Sequence, residues 1–269
     1  MTKKKVQNLL KHLVCILLCL TVILPFYMVV INSFKSKGEA SRMSLALPKE
    51  WLFSNYTEVI DKGNLIQGFS NSLLYALVAT TLGVVLCAMA AFVMCRKRTR
   101  LNVFLYYFVL CGLFFPVNYV TLVRVLSTLH LNDTRQGIIM VFTSAMIPFC
   151  VFTIRNFVVS VPVELDEAAV IDGAGPIRRA VSIILPLAKE QLIVCSIITV
   201  IGAFKLFTEV YSTTVGGPGN ASQVLGLFLY QNAFLHDDMG MAAATGVLIF
   251  VITVTASIFQ LKVSRSGEI

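Results

Sequence analysis

Carboxylates, small residues and turn residues gather in one stretch of an otherwise apolar chain: Glu164-Leu165-Asp166-Glu167-Ala168-Ala169-Val170-Ile171-Asp172-Gly173-Ala174-Gly175-Pro176, running on to Ile183-Ile184-Leu185-Pro186. Such a mixture serves contact with a water-side partner. Ser160 can cap a helix start, with Pro162 close behind it where a missing N–H costs nothing. Glu164, Asp166 and Glu167 then fall in the first turns, where carboxylates favour the positive end of the helix dipole. Leu165, Ala168, Ala169 and Ile171 give this short helix a modest apolar face. Gly173 and Gly175 end it, and Pro176 can start a second helix carrying Arg178 and Arg179. An amphipathic helix lying at a membrane interface is the simplest account of these features taken alone.

The other concentration of polar chemistry is Gly202-Ala203-Phe204-Lys205-Leu206-Phe207-Thr208-Glu209-Val210-Tyr211. On a continuous helix Lys205 and Glu209 share a face and can pair. Charges at membrane depth are costly, by roughly 2.5–3.5 kcal/mol each on insertion scales, so they face protein or water. Two readings stand side by side. One is a polar lining for a hydrophilic solute, with Phe204, Phe207 and Tyr211 to stack on it and Asn118 as a further contact. The other is a structural or interfacial charge pair.

Reaction chemistry is not visible in the sequence. There is no G-x-x-x-x-G-K-[ST] loop to cradle nucleotide phosphates, no HExxH and no Ser/His/Asp arrangement. The seven cysteines, Cys15, Cys19, Cys87, Cys95, Cys111, Cys150 and Cys195, include no CxxC pair, and only three histidines accompany them. They read as small apolar side chains, with neither a metal nor a cofactor expected in this chain.

The elements that position these residues follow from composition. The 269 residues are 57% hydrophobic and only 13% charged, against about a quarter charged in a soluble domain. Mean hydropathy is +0.82. This is the composition of an all-α integral membrane protein. Six spans are expected, at about 13–34, 71–94, 103–123, 137–155, 191–214 and 241–261, in a single transmembrane domain over 1–269. The first run is too long for a signal h-region and lacks a small-residue cleavage site, so it reads as a retained helix. Each run suits a hydrocarbon core of about 30 Å. With the N-terminus inside, the inner segments hold fourteen Lys and Arg and the outer ones seven, with Lys205 in the fifth span completing the 22. Both termini and the 160–190 loop are therefore expected on the cytoplasmic side. The net charge of +8 forms no basic stripe with interleaved aromatics, so nucleic acid is not an expected partner.

The charged stretch resembles the "EAA" loop of membrane subunits of importers driven by ATP-binding cassettes. That pattern is Glu-Ala-Ala, three residues, Gly, nine residues, Ile, one residue, Leu-Pro; Glu167, Ala168, Ala169, Gly173, Ile183, Leu185 and Pro186 match it throughout. The resemblance implies a type I importer permease fold. It also implies an ATPase-coupling role for Glu164, Asp166, Glu167, Ala168, Ala169, Asp172, Gly173, Leu185 and Pro186. Phe204 to Tyr211, Gly216-Gly217-Pro218-Gly219-Asn220, Tyr230-Gln231-Asn232-Ala233-Phe234, Asn32-Ser33-Phe34-Lys35 and Asn71-Ser72-Leu73 look like the carbohydrate branch of that family. This implies uptake of a sugar or sugar derivative across the bacterial cytoplasmic membrane by alternating access. The implied partners are a cytoplasmic ATPase dimer holding ATP-Mg, a second permease subunit in a heterodimer, an extracytoplasmic solute-binding protein and the lipid bilayer. A permease for another polar solute, or a stand-alone secondary transporter, are the competing readings.

Overall fold

The computed structural model describes residues 3–62, 65–97 and 99–265, and all regular structure among them is helical. In chain order the helices begin with α1 (Lys3–Asn32), α2 (Lys37–Ala40), α3 (Ser54–Asp61), α4 (Leu65–Arg96), α5 (Arg100–Cys111), α6 (Tyr119–Thr128) and α7 (Arg135–Ser160). They continue with α8 (Val163–Ile171), α9 (Pro176–Arg179), α10 (Leu185–Leu187), α11 (Lys189–Phe204), α12 (Thr208–Thr213), α13 (Leu225–Tyr230) and α14 (Met239–Arg265). Two π-helical stretches, Ala180–Ile184 and Gln231–Leu235, follow α9 and α13.

Among the described residues, four helices are long and apolar enough to cross a membrane: α1 from Lys11, α4, α7, and α14 to Val263. The bent pair Ile177–Leu187 and Lys189–Phe204 makes a fifth if taken as one span. The third expected span, 103–123, is instead the shorter helices α5 and α6. Between them Gly112 to Asn118 is non-helical, where Pro116 lacks an N–H to continue a helical ladder. Asn118 restarts the chain by accepting from Thr121 N at 3.1 Å as the cap of α6. In the same manner Thr99 caps α5 and Thr134 caps α7.

The chain divides into two compact units, Met1–Ile66 with Phe228–Val251, and Gln67–Leu227 with Ile252–Ile269. The first unit is organised by the Asn32-Ser33-Phe34-Lys35 signature. Lys35 is fully buried, and its Nζ donates to Asn32 Oδ1 (3.0 Å), Ser44 O (2.9 Å) and Ser44 Oγ (3.0 Å). Asn55 Nδ2 donates to the carbonyls of Ser33 and Lys35, and Phe34 is ringed by Trp51, Phe53 and Tyr56. A buried ammonium is tolerable only when its donors are met, and three acceptors meet them here.

In the second unit α4 turns a face of small residues inward, among them Ala76, Ala79, Gly83, Ala88 and Ala91. Small residues let helix backbones approach closely, which drives packing where lipid removes the hydrophobic contrast. A Cβ at Gly83 would come within 3.2 Å of Met146 on α7, and one at Gly202 of α11 within 3.3 Å of Phe142. The Gly216–Gln223 loop is fastened from α4 and α7. Asn71 Nδ2 donates to the carbonyls of Ala221 and Gln223, both at 2.9 Å, and Arg135 Nε and Nη2 both reach Ala221 O. Two signatures far apart in sequence thus hold each other. Asn71→Leu is expected to cost about 1–3 kcal/mol by stranding the buried carbonyl of Gln223, while Ala221 O keeps its bonds from Arg135. The measurement is the thermal unfolding midpoint in detergent, and an unchanged midpoint would show that the loop is held by other means.

Candidate functional site

The 160–190 loop is built by local rules. Ser160 closes α7, since its hydroxyl donates back to Phe157 O at 2.7 Å. It does not cap the next helix as the sequence suggested. Pro162 stands at the N-cap of α8 with no side-chain cap, and Glu164 and Asp166 fill the first turn. The C-terminus is a Schellman closure. Gly173 N donates to Val170 O at 3.0 Å, Ala174 N to Ala169 O at 2.8 Å, and Gly173 has φ of +75°. Nothing lies within 4 Å of a Cβ added at Gly173. The glycine is therefore required by backbone conformation, which costs an ordinary residue about 1–2 kcal/mol, and not by space.

The two sides of α8 differ. Asp166, 4% exposed, and Ala169 face inward, while Glu164, Glu167, Ala168 and Asp172 are exposed. Ile171 is 86% exposed, and Leu165 and Val170 are also open. Asp166 Oδ2 lies 2.5 Å from Arg96 Nε in an ion pair with both side chains largely buried. Arg96 Nη2 donates to Val161 O at 3.1 Å. One guanidinium at the end of α4 thus grips both α8 and the residue that enters it. Asp166 belongs to this tie and not to a docking face. Breaking a buried pair costs roughly 3–5 kcal/mol, whereas a new surface pair returns about 0–1 kcal/mol. No external partner gains by recruiting it.

After Gly173 the chain forms an arm of α9, the π-helical Ala180–Ile184 and α10. The widened turn has a local cause. Pro186 has no N–H to offer, and Leu185 N donates to Ala180 O instead of to a residue four back. Ile184 is buried among Cys87, Ala91, Ile154 and Val158 of α4 and α7, Leu185 is half-buried and Pro186 is exposed. At Ala188 the chain breaks and α11 departs at 76° to the arm.

At the other end of α11 the structure separates residues that the sequence had grouped. The helix stops at Phe204, Lys205 is its C-cap, and α12 begins at Thr208. Lys205 and Glu209 therefore do not share one continuous helical face as expected, and the ion pairs found among the described residues do not include them. Phe204 is 2% exposed with its ring 5.7 Å from Phe69. It is core and cannot stack on a solute. Lys205 and Asn118 are exposed, Glu209 is half-buried, and Tyr211 stacks on Phe207 at 5.4 Å between centroids. Glu209 lies within electrostatic reach of Tyr119, beside Asn118, so α12 and the start of α6 bring polar groups together. Tyr119, like Arg96, carried no signal in the sequence, because each meets its partner only through the tertiary fold.

Residues 83–266 match the family described as the binding-protein-dependent transport system inner membrane component, and the chain belongs to that family. It is similar to the diacetylchitobiose uptake system permease protein NgcG of Streptomyces coelicolor, 30% identical over 96% of this chain and 86% of the relative. It is also similar to a probable starch degradation products transport system permease protein, AmyC, of Thermoanaerobacterium thermosulfurigenes, 28% identical over 94% and 92%. Its fold matches a chain of a bacterial transporter involved in importing alginate, with a TM-score of 0.76, 17% identity and coverage of 99% and 98%. The chain is a multi-pass permease component of the inner membrane.

The Arg96–Asp166 tie has a sharp expected signature. Arg96→Gln or Asp166→Asn alone should loosen α8 strongly, by roughly 3–5 kcal/mol locally. The double variant should lose less than the sum of the two singles. Protease cleavage rates at 172–176 in membranes read this out, and strict additivity would show that the pair does not hold the helix.

Proposed function

We propose that this chain is the permease subunit of an ATP-driven importer of a sugar or sugar derivative, with ATP hydrolysed on a separate subunit. The observation that carries the coupling role is the division of α8. Asp166 is committed inward to Arg96, while Glu164, Glu167 and the 86% exposed Ile171 are left without an intrachain cover. Apolar surface of that kind beside carboxylates marks a protein interface. The carbohydrate reading rests on the similarity to saccharide permeases along nearly the whole chain.

In the mechanism that follows, an ATPase dimer takes the exposed side of α8 in a cleft. Closure of the dimer on ATP displaces α8. Arg96 transmits that displacement to α4, and the arm from Pro176 to Leu187 transmits it across the 76° break into α11. The far end of α11 carries Lys205 and leads to Glu209 and Tyr211, where the solute path is assigned together with Asn118. A solute-binding protein delivers solute from outside, and a second permease chain completes the path. Alternating access needs no bond chemistry in this chain, only rigid links between the loop and two spans.

Cysteine at position 171 should cross-link to the ATPase in membranes, with a yield that changes on adding ATP. Glu167→Lys should abolish uptake while leaving the chain inserted. An inserted chain that moves solute with no link to any ATPase would overturn the reading. Separately, Lys205→Leu and Glu209→Leu should change solute affinity or selectivity with ATPase binding intact. Unchanged uptake kinetics in both would assign these charges to structure.

A further inference from the structure

Among the described residues of the second unit, three arginines keep a buried Nε without a hydrogen-bond acceptor: Arg96, Arg155 and Arg179. Two have another partner. Arg96 is ion-paired with Asp166, and the Arg155 guanidinium lies 3.9 Å over the ring of Tyr106. Arg179 has neither. It lines a recess of about 380 Å³ beside α8, with Val163, Val170 and Ile171 as apolar wall, the exposed Glu167 at its edge, and the Arg96–Asp166 pair, whose charges offset each other, completing the lining. A buried N–H donor left unmet costs about 1–3 kcal/mol, more when the group is charged, so an acceptor entering the recess gains that energy.

Resting on the coupling role above, we propose that this recess is a socket for one carboxylate side chain, Asp or Glu, of the ATPase subunit, with Arg179 as its anchor. The apolar wall suits the stem of such a side chain, and the volume suits one or two side chains. Charge selects the source of the carboxylate. Glu164, Glu167 and Asp172 are exposed around α8, and they repel a free anion or an anionic lipid headgroup. A protein surface escapes that repulsion by bringing cations for those carboxylates alongside the acid for Arg179. Orientation of docking then follows from two opposite charges at fixed places, where the acidic face alone would permit sliding.

The test uses the transporter purified with its partner chains, stripped of its ATPase and returned to nanodiscs. Rebinding of the ATPase is titrated for wild type, Arg179→Lys, Arg179→Gln and Arg179→Glu, with thermal midpoints taken to confirm folding. Each is repeated with a cross-linkable cysteine at 171. The expected result is a link from 171 in all variants at saturating ATPase. Affinity should fall roughly tenfold or more for Arg179→Glu, fall less for Arg179→Gln, and be retained best by Arg179→Lys. Reversing one ATPase acid to Lys or Arg should restore binding to Arg179→Glu. A link from 171 with unchanged affinity in Arg179→Glu would overturn the socket while leaving the coupling reading intact. An affinity loss seen only in phosphatidylglycerol discs and not in phosphatidylcholine discs would give Arg179 to lipid and overturn it as well. Absence of any link from 171 would remove both.

Discussion

A single buried ion pair decides what the loop between α7 and α11 can do. Without Arg96, α8 is nine residues with no side-chain cap, and an isolated helix of that length is unstable in water. With it, the helix is fastened at Asp166 to the end of a 32-residue span. The desolvation of two charges is the cost, and in purely stabilising terms an apolar pair would do as well. What the ion pair adds is direction. It fixes which side of α8 turns inward, and so leaves Glu164, Glu167 and Ile171 facing out.

The same constraint suits the lever role proposed for the loop. A helix tied at one point and ending in a closed Schellman turn moves as a body, because its end carbonyls are already satisfied. The arm beyond it is pinned through Ile184, which packs into the cluster of Cys87, Ile154 and Val158. Displacement of α8 therefore has two exits, one through a charge pair into α4 and one through packed side chains into α11. Packed cores are bistable rather than continuously deformable, which suits a switch between two access states.

Legibility in the sequence followed locality. The Glu167–Pro186 pattern, the ending of α8 at Gly173 and the start of α9 at Pro176 were readable, because capping and turn rules act over a few residues. The sequence groups Asp166 with Glu164 and Glu167, because its partner, Arg96, lies a span away and nothing local distinguishes the three. The break after Phe204 is not legible in the sequence for a related reason. Leu206 and Phe207 carry no turn signal of their own, yet Leu206 O stands 2.5 Å from where a Cβ on Gly226 would sit. That close approach is a tertiary demand, and the helix yields to it.

This break also changes what the polar residues near it can be. A Lys and Glu on one continuous helix would neutralise each other, and a paired charge has little left for a solute. Ended at Phe204, the chain instead offers Lys205 at a helix C-terminus, where a cation is favoured, and Glu209 in the first turn of α12, where an anion is favoured. Each charge is thus supported by its own helix end, and Lys205 remains exposed. Charges stabilised separately can both be presented to a neutral, hydroxyl-rich solute, one as donor and one as acceptor. On the solute path proposed above, it is the interruption of α11 that separates these two charges.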